Sequence, residues 1–149
     1  MEENEMNTDP ENDNDPSAEQ TSEFRHPRSA FPARSDLRAR TFDFSLRVMR
    51  LAESLPDTKS GRTVANQIIR SGTSVGANYR AAKRAKSTKD FISKMGTVEE
   101  ECDETIYWIE IAIASGCVEN EKVESLLAEA NELLAITVAS IVTAKRRKE

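Results

Sequence analysis

Hydrophobic positions recur at steps of three and four residues through four segments of this chain, the period of helices packed on one face. Phe44, Val48, Leu51 and Leu55 share one such face. Their helix is expected to start between Asp36 and Thr41 and to stop at Leu55, because Pro56 disfavours helical geometry in the residue before it. A polar linker, DTKSG, comes next. A second helix is predicted over 62–85, with Val64, Ile68, Gly72, Val75, Tyr79 and Ala82 on its apolar side. The third opens with Ser87 and Asp90 in capping-box positions, where the serine accepts from a free backbone amide and the acid reaches back. Phe91, Met95, Val98, Cys102, Ile106, Ile109 and Ile113 carry it over 88–115, about 40 Å at the α-helical rise. Gly116 is a natural C-terminal stop.

The fourth helix is predicted over 121–147, with Glu121 and Glu124 in its first turn and Lys145, Arg146, Arg147 and Lys148 at its end, both favourable to the helix dipole. Val123, Leu127, Ala130, Leu134, Thr137, Ile141 and Ala144 form its seam, broadened by Leu126, Leu133 and Val138. Short connections between long helices imply antiparallel neighbours. The fold class is therefore all-α, an antiparallel up-down-up-down four-helix bundle over 36–149.

Two glycines interrupt this pattern without shifting its phase. Gly72 and Gly76 lie one turn apart within the second helix, and each costs roughly 1 kcal/mol relative to alanine in a helix interior. A turn would break the apolar stripe, so one continuous helix is expected, the alternative being a local kink or a helix break at the pair. The pair then lets another backbone come close. Whether the neighbour belongs to the same bundle or to another copy is left open by the sequence.

Charge divides the chain. Residues 1–24 hold nine of its 26 acidic side chains and no lysine or arginine, so residues 25–149 carry 21 basic against 17 acidic residues, a formal +4. The segment 1–35 is poor in apolar residues and is expected to be a disordered acidic tail. It has neither the positive start nor the apolar run of a secretory signal, and no stretch is expected to span a membrane, so a cytoplasmic location is the expectation. Cys102 falls on an apolar stripe and Cys117 follows Gly116, which suits idle thiols rather than a disulfide framework.

Candidate chemistry is sparse. Glu99, Glu100, Glu101, Asp103, Glu104 and Glu110 cluster on the third helix, but the only histidine, His26, lies in the tail, so neither a carboxylate-histidine metal site nor a histidine-assisted nucleophile is expected. No glycine-rich loop follows a strand to cradle a nucleotide. Neither enzymatic activity nor a cofactor is expected. Glu100, Glu101 and Glu104 read as a solvated face, whereas Glu99, Asp103 and Glu110 border the core, where an arginine partner is expected. Arg62, Arg70, Arg80 and Arg84 form a basic stripe on the second helix, with Lys83 and Lys86 beside it and Lys89 and Lys94 beyond. Such a stripe suits phosphate backbones and equally an ordinary solvated face. Copied around an oligomer it becomes a strong field.

The runs QIIRSGTSVGANYR (67–80), RAKSTKDFI (84–92) and ECDETIYWIE (101–110) resemble the bacterial four-helix-bundle family whose first-described members are encoded in intervening sequences of 23S rRNA genes. The resemblance covers about residues 40–146. It implies a homopentamer and a relation to the accessory variability protein of diversity-generating retroelements, a basic pentamer that binds nucleic acid and a reverse transcriptase. Family members often carry ribosomal-protein labels. The motif positions carried over are Arg70, Ser74, Asn78, Arg80, Asp90, Glu101, Glu104, Trp108 and Glu110. Carried onto the glycine pair, the resemblance implies that Ser74 and Asn78 satisfy polar groups at the close helix contact. Ala81 stands where relatives commonly place a glutamate.

Together these features lead to the expectation of a non-enzymatic homo-oligomer, a pentamer by resemblance, that binds RNA or DNA through Arg62, Arg70, Arg80, Lys83 and Arg84. Gly72, Ser74, Gly76, Asn78, Asp90, Glu101, Glu104, Trp108 and Glu110 are its expected structural and interface positions. The alternative is a scaffold that docks a protein partner without binding nucleic acid.

Overall fold

The computed structural model describes residues 36–147, which form four helices: α1 (Leu37–Ser54), α2 (Lys59–Ala82), α3 (Thr88–Ala114) and α4 (Asn120–Arg146). The expected acidic tail over 1–35 lies outside the described residues.

Local chemistry sets the helix ends. The Asp36 carboxylate accepts from the amides of Arg38 and Ala39 and starts α1, and Leu55 turns to the extended geometry that Pro56 requires. Helix α2 begins earlier than its apolar pattern implied, because the Thr58 hydroxyl accepts from the Gly61 amide and draws part of the polar linker into the first turn. The Ser87 hydroxyl caps the amide of Asp90, while the Asp90 carboxylate accepts from the Lys86 amide and pairs with Lys94. Gly116, at φ 73°, ends α3: its amide and that of Cys117 donate to the carbonyls of Ile113 and Ala112, a Schellman closure.

Helix α2 runs unbroken through Gly72 and Gly76, and the pair faces α1. A methyl group at Gly72 would stand 2.5 Å from a Val48 methyl, and one at Gly76 would stand 3.2 Å from the Thr41 carbonyl oxygen. The glycines thus serve an approach within the bundle. Because Gly76 meets Thr41 and Gly72 meets Val48, α1 and α2 run in opposite directions. Arg40 with Glu132 and Arg47 with Ser125 show the same for α1 and α4. Neighbours in sequence are neighbours in space, and α1 meets α4 along the thinnest of the four seams.

The core is drawn from all four helices. Phe44, Val48, Ile68, Val75, Met95, Val98, Cys102, Ile109 and Leu133 are essentially inaccessible. Burial of a large apolar side chain contributes about 1.5–3 kcal/mol, so this stripe supplies most of the driving force. Phe91, Tyr79 and Ile113 lie only half-buried at its edge. On α4 the seam centres on Leu126 and Leu133 rather than Leu127 and Leu134, and Val138 faces outward. That outward face is itself apolar. Contrary to the expectation that no stretch approaches a membrane span, α4 is long and apolar enough to cross one by length and composition, and 28% of the relevant window is buried. The cause is the run of Ala128, Ala135, Val138, Ala139 and Val142 on its exposed side.

Candidate nucleic-acid interface

The fold gathers basic side chains at one end of the bundle. The start of α1, the α2–α3 turn with its flanking residues, and the end of α4 meet there. Residues 36–38, 80–94 and 143–147 hold ten basic side chains against two acids, Asp36 and Asp90. Both acids cap helices, and the bonds from the Lys94 ammonium and then the Lys86 amide hold the Asp90 carboxyl below its usual range. Its charge is thereby spent on the turn, leaving Arg80, Lys83, Arg84, Lys86, Lys89, Arg146 and Arg147 exposed. Lys83 and Arg147, far apart in sequence, line one cavity of about 350 Å³ with Ala82, Phe91 and Ala144. Sequence reasoning kept the α4 cations apart from this group. The antiparallel return of α4 joins them, a consequence of the expected up-down topology that the charge pattern of each helix taken alone does not show.

The five residues expected to bind nucleic acid therefore separate. Arg80, Lys83 and Arg84 belong to the cationic end. Arg62 lies about 33 Å away along α2 from Arg84, at the opposite end, where it pairs with Asp57 at 2.6 Å. Arg70 sits between them and is held by a network on the α2–α3 seam. Its guanidinium pairs with Glu104 and with Glu101 at 3.6 Å, and its Nε donates to Gln67. Trp108 Nε1 donates to Glu104 at 3.3 Å, and its ring meets Tyr107 edge-on with centroids 5.1 Å apart. Beneath, the buried hydroxyls of Ser71 and Thr105 lie 2.9 Å apart.

Glu100 is exposed as expected, but the network overturns the assignment of the other α3 acids. Glu101 and Glu104 face α2 and hold its arginine, whereas Asp103 and Glu110 are exposed and Glu99 is half-exposed. The contact face of α3 extends past the apolar stripe to Thr105, which is fully buried, and so carries its acidic neighbours toward α2. Burial pushes the Glu101 carboxyl above its usual range against the pull of Arg70, and its buried Oε2 has no hydrogen-bond partner. The expected role of Ser74 and Asn78 also changes. Ser74 donates to the Arg70 carbonyl and Asn78 to the Ser74 carbonyl, both within α2 rather than across to a neighbour.

A second polar contact escaped the sequence altogether. Arg40 of α1, largely buried, makes two 2.9 Å bonds to Glu129 of α4 and a 3.2 Å contact with Glu132. These bonds, led by that to Glu129, raise the guanidinium's pKa and clasp the thinnest seam. Cys102 is buried and its thiol is pushed up to about 12 by desolvation, which keeps it protonated and unreactive at neutral pH. Among the described residues, no group of three or more His, Cys, Asp and Glu side chains converges as metal ligands would.

Large apolar side chains also reach the surface. Phe42, Leu46 and Met49 form one exposed face of α1, with Phe42 52% accessible, and Val138 and Val142 lie on the outer face of α4.

Comparison with curated proteins returns no match. Among solved structures, the fold is similar to the 1.70 Å crystal structure of a protein with unknown function from the S23 ribosomal protein family of Bacteroides thetaiotaomicron VPI-5482. The two share 33% sequence identity and a TM-score of 0.66, over 70% of this chain and 96% of the other. Residues 34–139 match the model of the 23S rRNA-intervening sequence protein family. The motif runs, the four-helix architecture and these two matches agree: the chain belongs to the 23S rRNA-intervening sequence protein family.

Proposed function

We propose that this protein is a non-enzymatic cytoplasmic bundle that assembles with copies of itself, as a pentamer, and binds RNA or DNA through its cationic end. The observation that carries this is the segregation of charge: ten basic residues and two cap-bound acids at one end. Basic groups clustered on one surface neutralise phosphates together, and the strength of binding grows with the number of contacts. Arg80, Lys83 and Arg84 are its centre, joined by Arg146 and Arg147 of α4. Self-assembly is supported by the apolar outer faces of α1 and α4, since large exposed apolar patches commonly mark interaction surfaces. The pentameric number, and a place as accessory subunit of a larger complex, follow the family resemblance.

The test is fluorescence anisotropy of a labelled structured RNA and its DNA counterpart, titrated with the full chain at 50 to 200 mM salt. With three to four phosphate contacts, affinity should fall on the order of 50-fold across that range. Absence of binding at low salt would refute the proposal. The alternative of a protein-docking scaffold is favoured by the same apolar faces. It would gain if the protein bound no nucleic acid and light scattering still showed a monomer, leaving Phe42, Leu46 and Met49 uncovered.

A further inference from the structure

We propose that the cavity at the cationic end receives one unpaired nucleotide, its base against Phe91 and its phosphate between Lys83 and Arg147. This rests on the nucleic-acid reading and specifies which feature of the nucleic acid is recognised. The cavity has the mixed character of a small-ligand site, lined by the apolar Ala82, Phe91 and Ala144, the hydroxyl residues Ser87 and Thr88, and the cations Lys83 and Arg147. Phe91 packs against the core on one side and remains half-buried, so its ring is held in place while part of it borders the recess. Nucleobases stack on such rings whatever their identity.

Size decides what can enter. At about 350 Å³ the cavity lies at the small end of ligand sites, room for one nucleotide and not for a base pair. Inside a duplex the faces of a base are covered by its neighbours, so stacking on Phe91 requires an overhanging, looped-out or terminal nucleotide. The neighbouring exposed cations, Arg80, Arg84, Lys86 and Lys89, then follow the backbone that leads to it. The first turn of α3 adds its positive dipole end on the same side. Asp90 does not oppose the phosphate strongly, because its carboxylate is engaged by Lys94 and the Lys86 amide.

The experiment uses the full chain and two labelled RNA hairpins with the same stem, one blunt and one carrying a two-nucleotide 3′ overhang. Wild type should bind the overhang hairpin about tenfold more tightly, toward the low end of what a stacked base provides. Phe91→Leu should remove that preference while leaving blunt-hairpin affinity within about twofold, with its thermal midpoint measured to confirm folding. Ala144→Leu, which narrows the recess from α4, should do the same and supplies the test if Phe91→Leu fails to fold. Equal affinity of wild type for the two hairpins, or a preference that survives in the folded variants, overturns this inference and leaves the cationic interface standing. No binding of either hairpin overturns both.

Discussion

The two ends of the bundle solve the same problem, turning one helix into the next, with different chemistry. At the end that holds the α1–α2 and α3–α4 turns, close backbone contacts do most of the closing, with the Thr58 hydroxyl capping the Gly61 amide. The Thr58 amide donates to the Pro56 carbonyl, Gly61 packs where no side chain fits, and Gly116 adopts a left-handed geometry. Charges there nearly balance: residues 47–63 and 110–124 hold six acids and five bases. At the other end side chains do the closing, through the Asp36, Ser87 and Asp90 caps, and a cationic recess remains. The first end also keeps a recess, about 250 Å³ beside Arg47, Arg50 and Lys122, so what separates the two ends as surfaces is charge: near balance at one, ten bases against two acids at the other.

The sharpest way to break this contrast is at Gly61. Its added Cβ would collide with the Pro56 carbonyl oxygen, which the tight turn cannot move cheaply, so Gly61→Ala should cost about 3 kcal/mol or more in denaturant unfolding. Replacing Lys86 in the opposite turn by alanine should stay within about 0.5 kcal/mol, as for most surface substitutions. Next in size, Lys83→Glu combined with Arg147→Glu should weaken nucleic-acid binding by one to two orders of magnitude, roughly 1.4–2.7 kcal/mol, with little change in melting temperature. Arg62→Glu at the other end should leave binding within about twofold.

Gly116→Ala ranks third. The space around it is open, so only the left-handed backbone is penalised, at about 1 kcal/mol. The smallest effect is pH-dependent and has opposite signs at two carboxylates. Asp90 has a lowered folded-state pKa, so its contribution is present above the ordinary carboxylate pKa and is lost as the pH falls through the lowered value. Asp90→Asn should therefore be less stable than wild type near neutrality and converge on it in acid. Glu101 has a raised pKa, so its ionisation disfavours the fold as the pH rises through that value. Glu101→Gln should gain on wild type above that pH and converge below it, if the amide leaves the Arg70–Glu104 pair in place. Unfolding curves at pH 3 to 7 measure both.

What was legible in the sequence is what local chemistry decides. Ser87, Asp90, Pro56 and Gly116 announce helix ends through groups within a few residues of each other, and Phe44, Val48 and Leu51 mark a core face by spacing alone. The candidate site is different in kind. Whether Glu101 or Asp103 meets Arg70 depends on which flank of the apolar stripe turns to α2, and the two differ by little more than half a helical turn. The Arg40–Glu129 clasp and the Lys83–Arg147 cavity join segments separated by whole helices. No spacing rule reaches that far. Gly72 and Gly76 stand between the two cases: their need for a close neighbour was readable, but its identity as α1 was not.

The lopsided charge also has a bearing on time. Residues 36–147 hold a formal +8 at one end and −7 over the rest, a separation that gives this body a long-range electric dipole, and such fields orient and accelerate encounters with polyanions. A nucleic acid approaching by diffusion would be turned toward the recess before any contact forms. Added salt should then act first on the association rate constant, while residence time depends more on the contacts made after arrival.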